Sequence, residues 1–438
     1  MQRNVYLSKE AFLEQNRTLN TGLPWDEDVT VLGKEYRLGE KIIANRIACQ
    51  AMEGCDGTAD GRPDMLTKRR YERLARGGAG IIWFEATAVM EEGRANPRQL
   101  YITKENLDSF KAQVETIKET ALKENGFEPL VIMQATHSGR YSKPQGSPAP
   151  IIAYNNPIFE KDNPIPQERI ATDEHLDRIG AALVNGAALA EQAGFDGVDI
   201  KCCHRYINSE LLSAFERNGR YGGSLENRTR LLRESVQGAM AVTGGKFIVT
   251  SRLNVYDGFP YPYGFGVADD GSTDFISDEA EWLIRELYSY GMRMIDITMG
   301  NPYFNPHVNR PFAIGAYEIE EHPLEGVSRM LKGTAKLKAA VPEMAFISSA
   351  LSYLGVAAPN VTAAFINDGG FDFAGFGRTI LAYPDFAKDI LEKKTMDRSK
   401  CCICCSRCSE IMKLGGTPGC VVRDREIYGK IYNEVVKK

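Results

Sequence analysis

Histidine is scarce in this sequence, with five in 438 residues, tryptophan rarer still with three, and there is no surplus of positive charge. Lys and Arg number 53 against 58 Asp and Glu, a net charge of −5, and no Lys/Arg-rich run occurs, so nucleic acid and anionic membrane surfaces are not expected partners. No apolar stretch is long enough to span a bilayer. The opening segment MQRNVYLSKEAFLEQ scatters charges where a signal peptide would carry its apolar core, so the expectation is a cytoplasmic protein. A G-x-G-x-x-G fingerprint is missing as well, which leaves no recognisable Rossmann dinucleotide site. In a reducing compartment the ten cysteines read as metal ligands, active-site groups or buried apolar residues rather than as a disulfide framework.

With 43% hydrophobic residues and 41 glycines, a chain of this length can bury a large core. Short apolar or β-branched runs recur at Arg46–Cys49, Gly80–Ala86, Leu130–Ala135, Gly197–Lys201, Phe247–Leu253, Arg293–Thr298, Ala345–Ala350 and Phe371–Phe376. Amphipathic, helix-length segments separate them, among them Asn106–Lys123, Leu176–Ala193, Leu225–Val242, Ser277–Tyr290 and Gly326–Ala340. Eight such alternations predict an α/β fold, a (β/α)8 TIM barrel, with chemistry at the carboxyl ends of the strands. Three strand-following loops are long: Tyr141–Thr172, Val255–Asp278 and Asn301–Glu325. Loops of that length are lids or decoration. The expected organisation is an extension over residues 1–30, a barrel over 31–391 and a small cysteine-rich unit over 392–438.

That last unit holds six of the ten cysteines, and Cys401, Cys404, Cys408 and Cys420 are spaced C-x2-C-x3-C-x11-C. Four clustered thiolates can surround one zinc ion or one iron–sulfur cluster, and the spacing alone does not choose between them. Cys402 and Cys405 stand beside them as leftover thiols or alternative ligands.

The strand ends, read in order, give NRIACQAM (Asn45–Met52), GGAGIIWFEAT (Gly77–Thr87), QATHSGR (Gln134–Arg140), KCCHRY (Lys201–Tyr206), RYGGSLENRTRLL (Arg220–Leu232), SRL (Ser251–Leu253) and GFGRTILAYPDF (Gly375–Phe386). This series resembles the Old Yellow Enzyme family of FMN-dependent oxidoreductases from about Val31 to Asp389, with YGGSLENR its most specific piece. Together with the cysteines it resembles the iron–sulfur branch that includes 2,4-dienoyl-CoA reductase, 2-enoate reductase and trimethylamine dehydrogenase. The resemblance implies FMN and a [4Fe–4S] cluster on Cys401, Cys404, Cys408 and Cys420. It also implies an enzyme that reduces an activated C=C bond, a small-molecule enone being its substrate.

Residue chemistry agrees with several of the implied roles. Arg252 can place a permanent cation by the flavin N1 and O2, and Gln134 can offer both donor and acceptor to the pyrimidine edge. Gly377 permits close backbone approach to a phosphate, with Arg378 and Ser349 supplying charge and hydrogen bonds. Ala51, Met52 and Ala86 would pass close to the ring by resemblance alone. At the end of the fourth strand, Lys201 and His204 correspond to the pair that holds the substrate carbonyl, and Tyr206 to the proton donor. An arginine at a strand end is commonly only an ion-pair partner, and a lone histidine is commonly structural.

Departures from the family are visible too. Lys201 stands where histidine is usual, and Glu53 where many relatives carry a flavin-tuning Thr or Cys. Pro302 falls where dienoyl-CoA reductase has a catalytic histidine, with His307 a candidate replacement on the same loop. Ser348–Ser352 lacks the usual Gly-Arg pair, which argues against CoA recognition. The longer relatives continue into FAD and NAD(P)H domains. Their fingerprint is missing here, so electrons are expected to enter the cluster from a separate donor, a ferredoxin-like carrier or a flavoprotein. The rival readings are an amine or alcohol dehydrogenase passing electrons outward and a non-catalytic electron-transfer subunit; a homo-oligomer is compatible with any of them.

Overall fold

The computed structural model describes residues 5–315 and 317–436, so residues 1–4 of the expected extension and 437–438 of the tail lie outside the described residues. A hairpin of β1 (Tyr36–Leu38) and β2 (Lys41–Ile43) comes first, turned by Gly39 at φ +59°. The parallel strands follow: β3 (Ile47–Cys49), β4 (Ile81–Ala88), β5 (Leu130–Thr136), β6 (Gly197–Ile200), β7 (Ile248–Thr250), β8 (Arg252–Asn254), β9 (Met294–Thr298), β10 (Ala345–Ile347) and β11 (Ala374–Phe376). Their ladders run β11-β3-β4-β5-β6-β7 and β10-β9-β8. Because β7 and β8 are one strand interrupted at Ser251, and a bridge pairs Ile347 with Phe373, the two ladders meet at both ends. The result is the expected eight-stranded TIM barrel.

All eight strand segments fall on the apolar runs of the sequence. They read as continuous rather than alternating because each strand is covered on both faces, by helices outside and barrel filling inside. The lower interior is filled by Ala48, Ile81, Trp83, Ile132, Met294, Ala345, Ile347 and Phe373, and the hairpin closes that end with Leu38 and Ile43. Each of those two side chains contributes roughly 1.5–3 kcal/mol by burial. The sequence pattern had not shown the hairpin, whose three-residue strands are too short to carry a period. The expected helix over Leu225–Val242 is in fact two, Leu225–Arg228 and Arg230–Val242, the first capped by Ser224.

The three long loops lock together over the carboxyl ends of the strands. Each sends one phenylalanine to a common contact: Phe159, Phe259 and Phe304 have ring centroids 4.8 to 5.5 Å apart. Arg205 lies over two of these rings, and its guanidinium donates to Asp257 at 3.0 Å and to the Tyr154 hydroxyl at 3.2 Å. Arg140 joins the same layer by pairing with Glu160 and Glu210. The loops therefore form a packed roof.

A buried ion network fixes the segment that follows β3. Arg70 bonds both Asp56 oxygens, at 2.6 and 3.0 Å, and pairs with Glu85, while Glu85 accepts the Gly54 amide at 2.7 Å. A Cβ at Gly54 would lie 2.2 Å from the Arg70 guanidinium, so only glycine fits there. Asp56 and Glu85 are fully buried and Arg70 is 6% exposed. Arg70→Met is expected to lower stability by about 3–5 kcal/mol by stranding two carboxylates, measured by urea unfolding.

The cysteine-rich tail docks on that same segment. Thr417 donates to the Cys55 carbonyl at 3.2 Å, and Asp424 accepts from Arg69 and Arg73 at 2.7 and 2.5 Å. No helix among the described residues is long and apolar enough to cross a membrane.

Candidate active site

At the carboxyl ends of β3 to β6 the structure encloses a cavity of about 110 Å³. Ala51, Met52, Ala86, Gln134, Lys201, His204 and Tyr206 all line it, joined by Glu53, Pro302, Tyr303, Asn309 and Arg310. Seven residues named from sequence thus converge on one wall, although they span more than 150 positions of the chain. The tail closes the cavity with Cys408, Ser409, Met412 and Pro418.

The chain leaves β6 through two successive left-handed residues, His204 at φ +64° and Arg205 at φ +58°. Neither is glycine, and such strain gathers at functional sites. It turns His204 and Tyr206 toward the same space. Burial, with Lys201, Arg252 and Arg310 nearby, holds His204 well below the usual imidazole range, so it is neutral at physiological pH. Its Nε2 atom is buried without a hydrogen-bond partner.

Tyr206 is only 1% exposed. Its hydroxyl lies 3.0 Å from that of Tyr303 and donates to Glu53 at 3.4 Å, and the Lys201 ammonium sits 3.7 Å from its ring centroid. Burial raises the Tyr206 phenol well above its ordinary value, with the Glu53 charge adding to the effect. Burial lowers Lys201, opposed by Cys203 and Glu53. Glu53 is raised by burial and pulled back by Lys201.

Four further residues named from sequence, Arg252, Ser349, Gly377 and Arg378, are not among those lining this cavity. The Arg252 Nε lies 3.2 Å from Asp296. Ser349 donates to the Ile297 carbonyl at 2.6 Å and accepts from Gln50 at 2.6 Å. Gly377 packs beside Gln50 and Met52. Arg378 donates to the Pro311 carbonyl at 2.6 Å, and its side chain enters the cysteine pocket rather than the cavity. His307 is not on the cavity wall either, because its Nδ1 is paired with the Tyr317 hydroxyl at 2.6 Å. Pro302 does line the wall, so the loop contributes no imidazole to it.

The second pocket is lined by Cys402, Cys404, Cys405, Cys408 and Cys420, with Arg378, Leu381 and Arg423. Cys401 is not among them; its thiol donates to the Asp397 carbonyl at 3.4 Å. Cys404 (φ +51°) and Ser406 (φ +59°) hold left-handed backbone in this segment. Leu381 and Cys408 belong to both pockets, so the two share a wall. Among the described residues no three His, Cys, Asp or Glu side chains are already gathered into a coordination shell. The thiols, and the Arg378 Nη1 atom buried without a partner, nevertheless form a donor set that suits an anionic sulfur-ligated centre.

The lining of the inner cavity has the chemistry to meet one edge of a flat aromatic ring. Ala51 and Ala86 keep the wall low, Gln134 brings an amide anchored to Asp199 at 2.7 Å, and His204 brings an unpaired nitrogen. Arg310 and Met412 carry no local signal in the sequence, and Tyr303 enters the site from the long loop Asn301–Glu325.

Known proteins give the arrangement a context. The family described as NADH:flavin oxidoreductase / NADH oxidase matches residues 34–288. An NADPH dehydrogenase of Geobacillus sp. (strain WCH70) is 33% identical over 245 residues, covering 55% of this chain and 67% of that one. A 2-naphthoyl-CoA reductase in complex with 2-naphthoyl-CoA superposes with a TM-score of 0.73 at 19% identity, over 93% of this chain and 58% of that one. An old yellow enzyme homologue from Zymomonas mobilis gives a TM-score of 0.62 at 20% identity, over 84% and 94%. This chain thus spans little more than half the length of the naphthoyl-CoA reductase, and both structural likenesses speak to the fold.

Proposed function

The chain belongs to the NADH:flavin oxidoreductase / NADH oxidase family, whose cofactor is FMN, and on that premise we propose that it is an ene-reductase fed through an iron–sulfur cluster. The observation that carries this reading is the convergence of Gln134, Lys201, His204 and Tyr206 on one cavity that shares Cys408 with a pocket of thiols.

FMN bound against Ala51, Met52, Ala86 and Gln134 would supply hydride to the β carbon of an activated C=C bond. His204, neutral and with a free nitrogen, and Lys201 hold the carbonyl oxygen on which negative charge develops. Tyr206 gives its phenolic proton to the α carbon. A [4Fe–4S] cluster on Cys408, Cys420 and two more thiols, Cys401 and Cys404 by the spacing or others of the second pocket, would supply single electrons from a donor site outside these 438 residues. A ferredoxin-like carrier or an FAD/NAD(P)H flavoprotein has the chemistry required. With its carbonyl at His204 and Lys201, a bulky enone such as a steroid or other polycycle would extend from the inner cavity into the neighbouring vestibule of about 560 Å³ between Tyr141, Tyr303 and the tail.

The test is anaerobic purification with absorbance and iron and sulfide analysis, followed by NADH, NADPH and a reduced viologen, and then a panel of enones. A flavin spectrum, about four irons per chain, reduction by viologen and reoxidation by an enone are expected. Rapid reduction by NADPH alone would remove the external-donor reading, an outcome made pointed by relatives named NADPH dehydrogenase. Flavin reduction by an amine panel would favour the outward dehydrogenase instead.

A further inference from the structure

We propose that Glu53 is the proton relay that recharges Tyr206 from the outer vestibule, with Tyr303 positioning the exchange. This rests on the ene-reductase reading. Each reduction takes one proton from the Tyr206 oxygen to the substrate α carbon, and one proton must return to the phenolate before the next cycle. Tyr206 lines only the inner cavity, which the tail covers with Cys408, Met412 and Pro418. Just three residues line both that cavity and the vestibule: Glu53, Tyr303 and Met412. The thioether of Met412 carries no exchangeable proton. The other two are the residues that touch the Tyr206 hydroxyl, Tyr303 at 3.0 Å and Glu53 at 3.4 Å.

Of the pair, Glu53 is the one with suitable acidity. Tyr303 is raised well above its ordinary value by burial and the Glu53 charge, so it gives up a proton reluctantly. Glu53 is raised only as a carboxyl, held between burial and the opposing Lys201, and it also faces Cys55, Tyr206, Tyr303 and, further back, Glu85. The step balances without any redox change. The O–H bond of the Glu53 acid breaks as that of Tyr206 forms, and the carboxylate then takes up a proton from hydronium or buffer acid of the bulk solvent through the vestibule, whose rim includes Arg98, Lys143 and Lys413. A side chain that only tuned the flavin would not need to face both spaces.

The experiment compares Glu53→Gln and Glu53→Asp with the wild-type holoenzyme, reduced and mixed with excess enone in the continued presence of excess reduced viologen. Glu53→Gln is expected to show a burst of one equivalent, followed by steady turnover about 10²-fold slower, and Glu53→Asp to restore most of it. Infrared spectra of the full-chain protein at neutral pH are expected to show a protonated-carboxyl band that shifts in D2O and vanishes in Glu53→Gln. Equal slowing of the first and later turnovers, steady turnover at the wild-type rate, or an infrared spectrum unchanged in Glu53→Gln would each overturn the relay. A wild-type protein that reduces none of the enones would instead overturn the ene-reductase reading, and the infrared band would still decide whether Glu53 carries the proton.

Discussion

Tyr206→Phe should slow enone reduction by about 10²- to 10⁴-fold, the range lost when a positioned general acid is removed. The substitution deletes one oxygen from a side chain that is 1% exposed, and the ring keeps its contacts beneath Lys201 and beside Tyr141 and Tyr303. Phenylalanine occupies the same space, so the fold and the approach of the enone should survive. In the proposed mechanism His204 and Lys201 bind the carbonyl, so KM is expected to move far less than kcat. Reduction of the flavin by viologen should be unchanged, since that step uses no proton from Tyr206. Stopped-flow measurement of the two half-reactions separates them. A Tyr206→Phe enzyme with wild-type enone turnover would remove the proposed mechanism.

Cys408→Ser and Cys420→Ser should lose essentially all iron and sulfide, and with it donor-driven flavin reduction, and Cys401→Ser decides between the two ligand sets. Cys408 and Cys420 line the thiol pocket, while the Cys401 thiol donates to the Asp397 carbonyl. A serine hydroxyl is a poor substitute for a soft thiolate, so loss at a true ligand is close to complete. Iron and sulfide per chain, with the flavin absorbance as an internal standard, give the answer directly. Retention in Cys401→Ser would leave Cys402, Cys404, Cys405, Cys408 and Cys420 as the pool from which four ligands come. Loss of iron in Cys401→Ser would restore the C-x2-C-x3-C-x11-C set read from spacing.

The barrel was legible because its strands are buried on both faces, which writes eight uninterrupted apolar runs into the chain. Ala51, Ala86, Gln134, Lys201, His204 and Tyr206 were legible for a related reason: each stands at a strand end, where the fold aims residues at a common point. Arg252 and Arg378 were harder to place. Both carry the charge a phosphate or a reduced ring needs, but Asp296 and the thiol pocket compete for them, and those competitors come from distant parts of the chain. His307 could be named from sequence as a spare imidazole, yet nothing there showed that Tyr317 would take its Nδ1.

By itself, then, the sequence determined the eight-stranded α/β frame, the flavin-family strand ends and the clustering of six cysteines in the tail, all of which depend on residue type and short-range spacing. The tertiary structure alone decided which cysteines line the second pocket, that Cys408 joins the two pockets, and that Glu53 and Tyr303 stand between Tyr206 and the outside. Those choices hang on contacts between the segments after β3, β6 and β9 and the tail. Segments far apart along a chain meet only when burial of the whole core draws them together, and no local pattern records which side chains will then share a cavity.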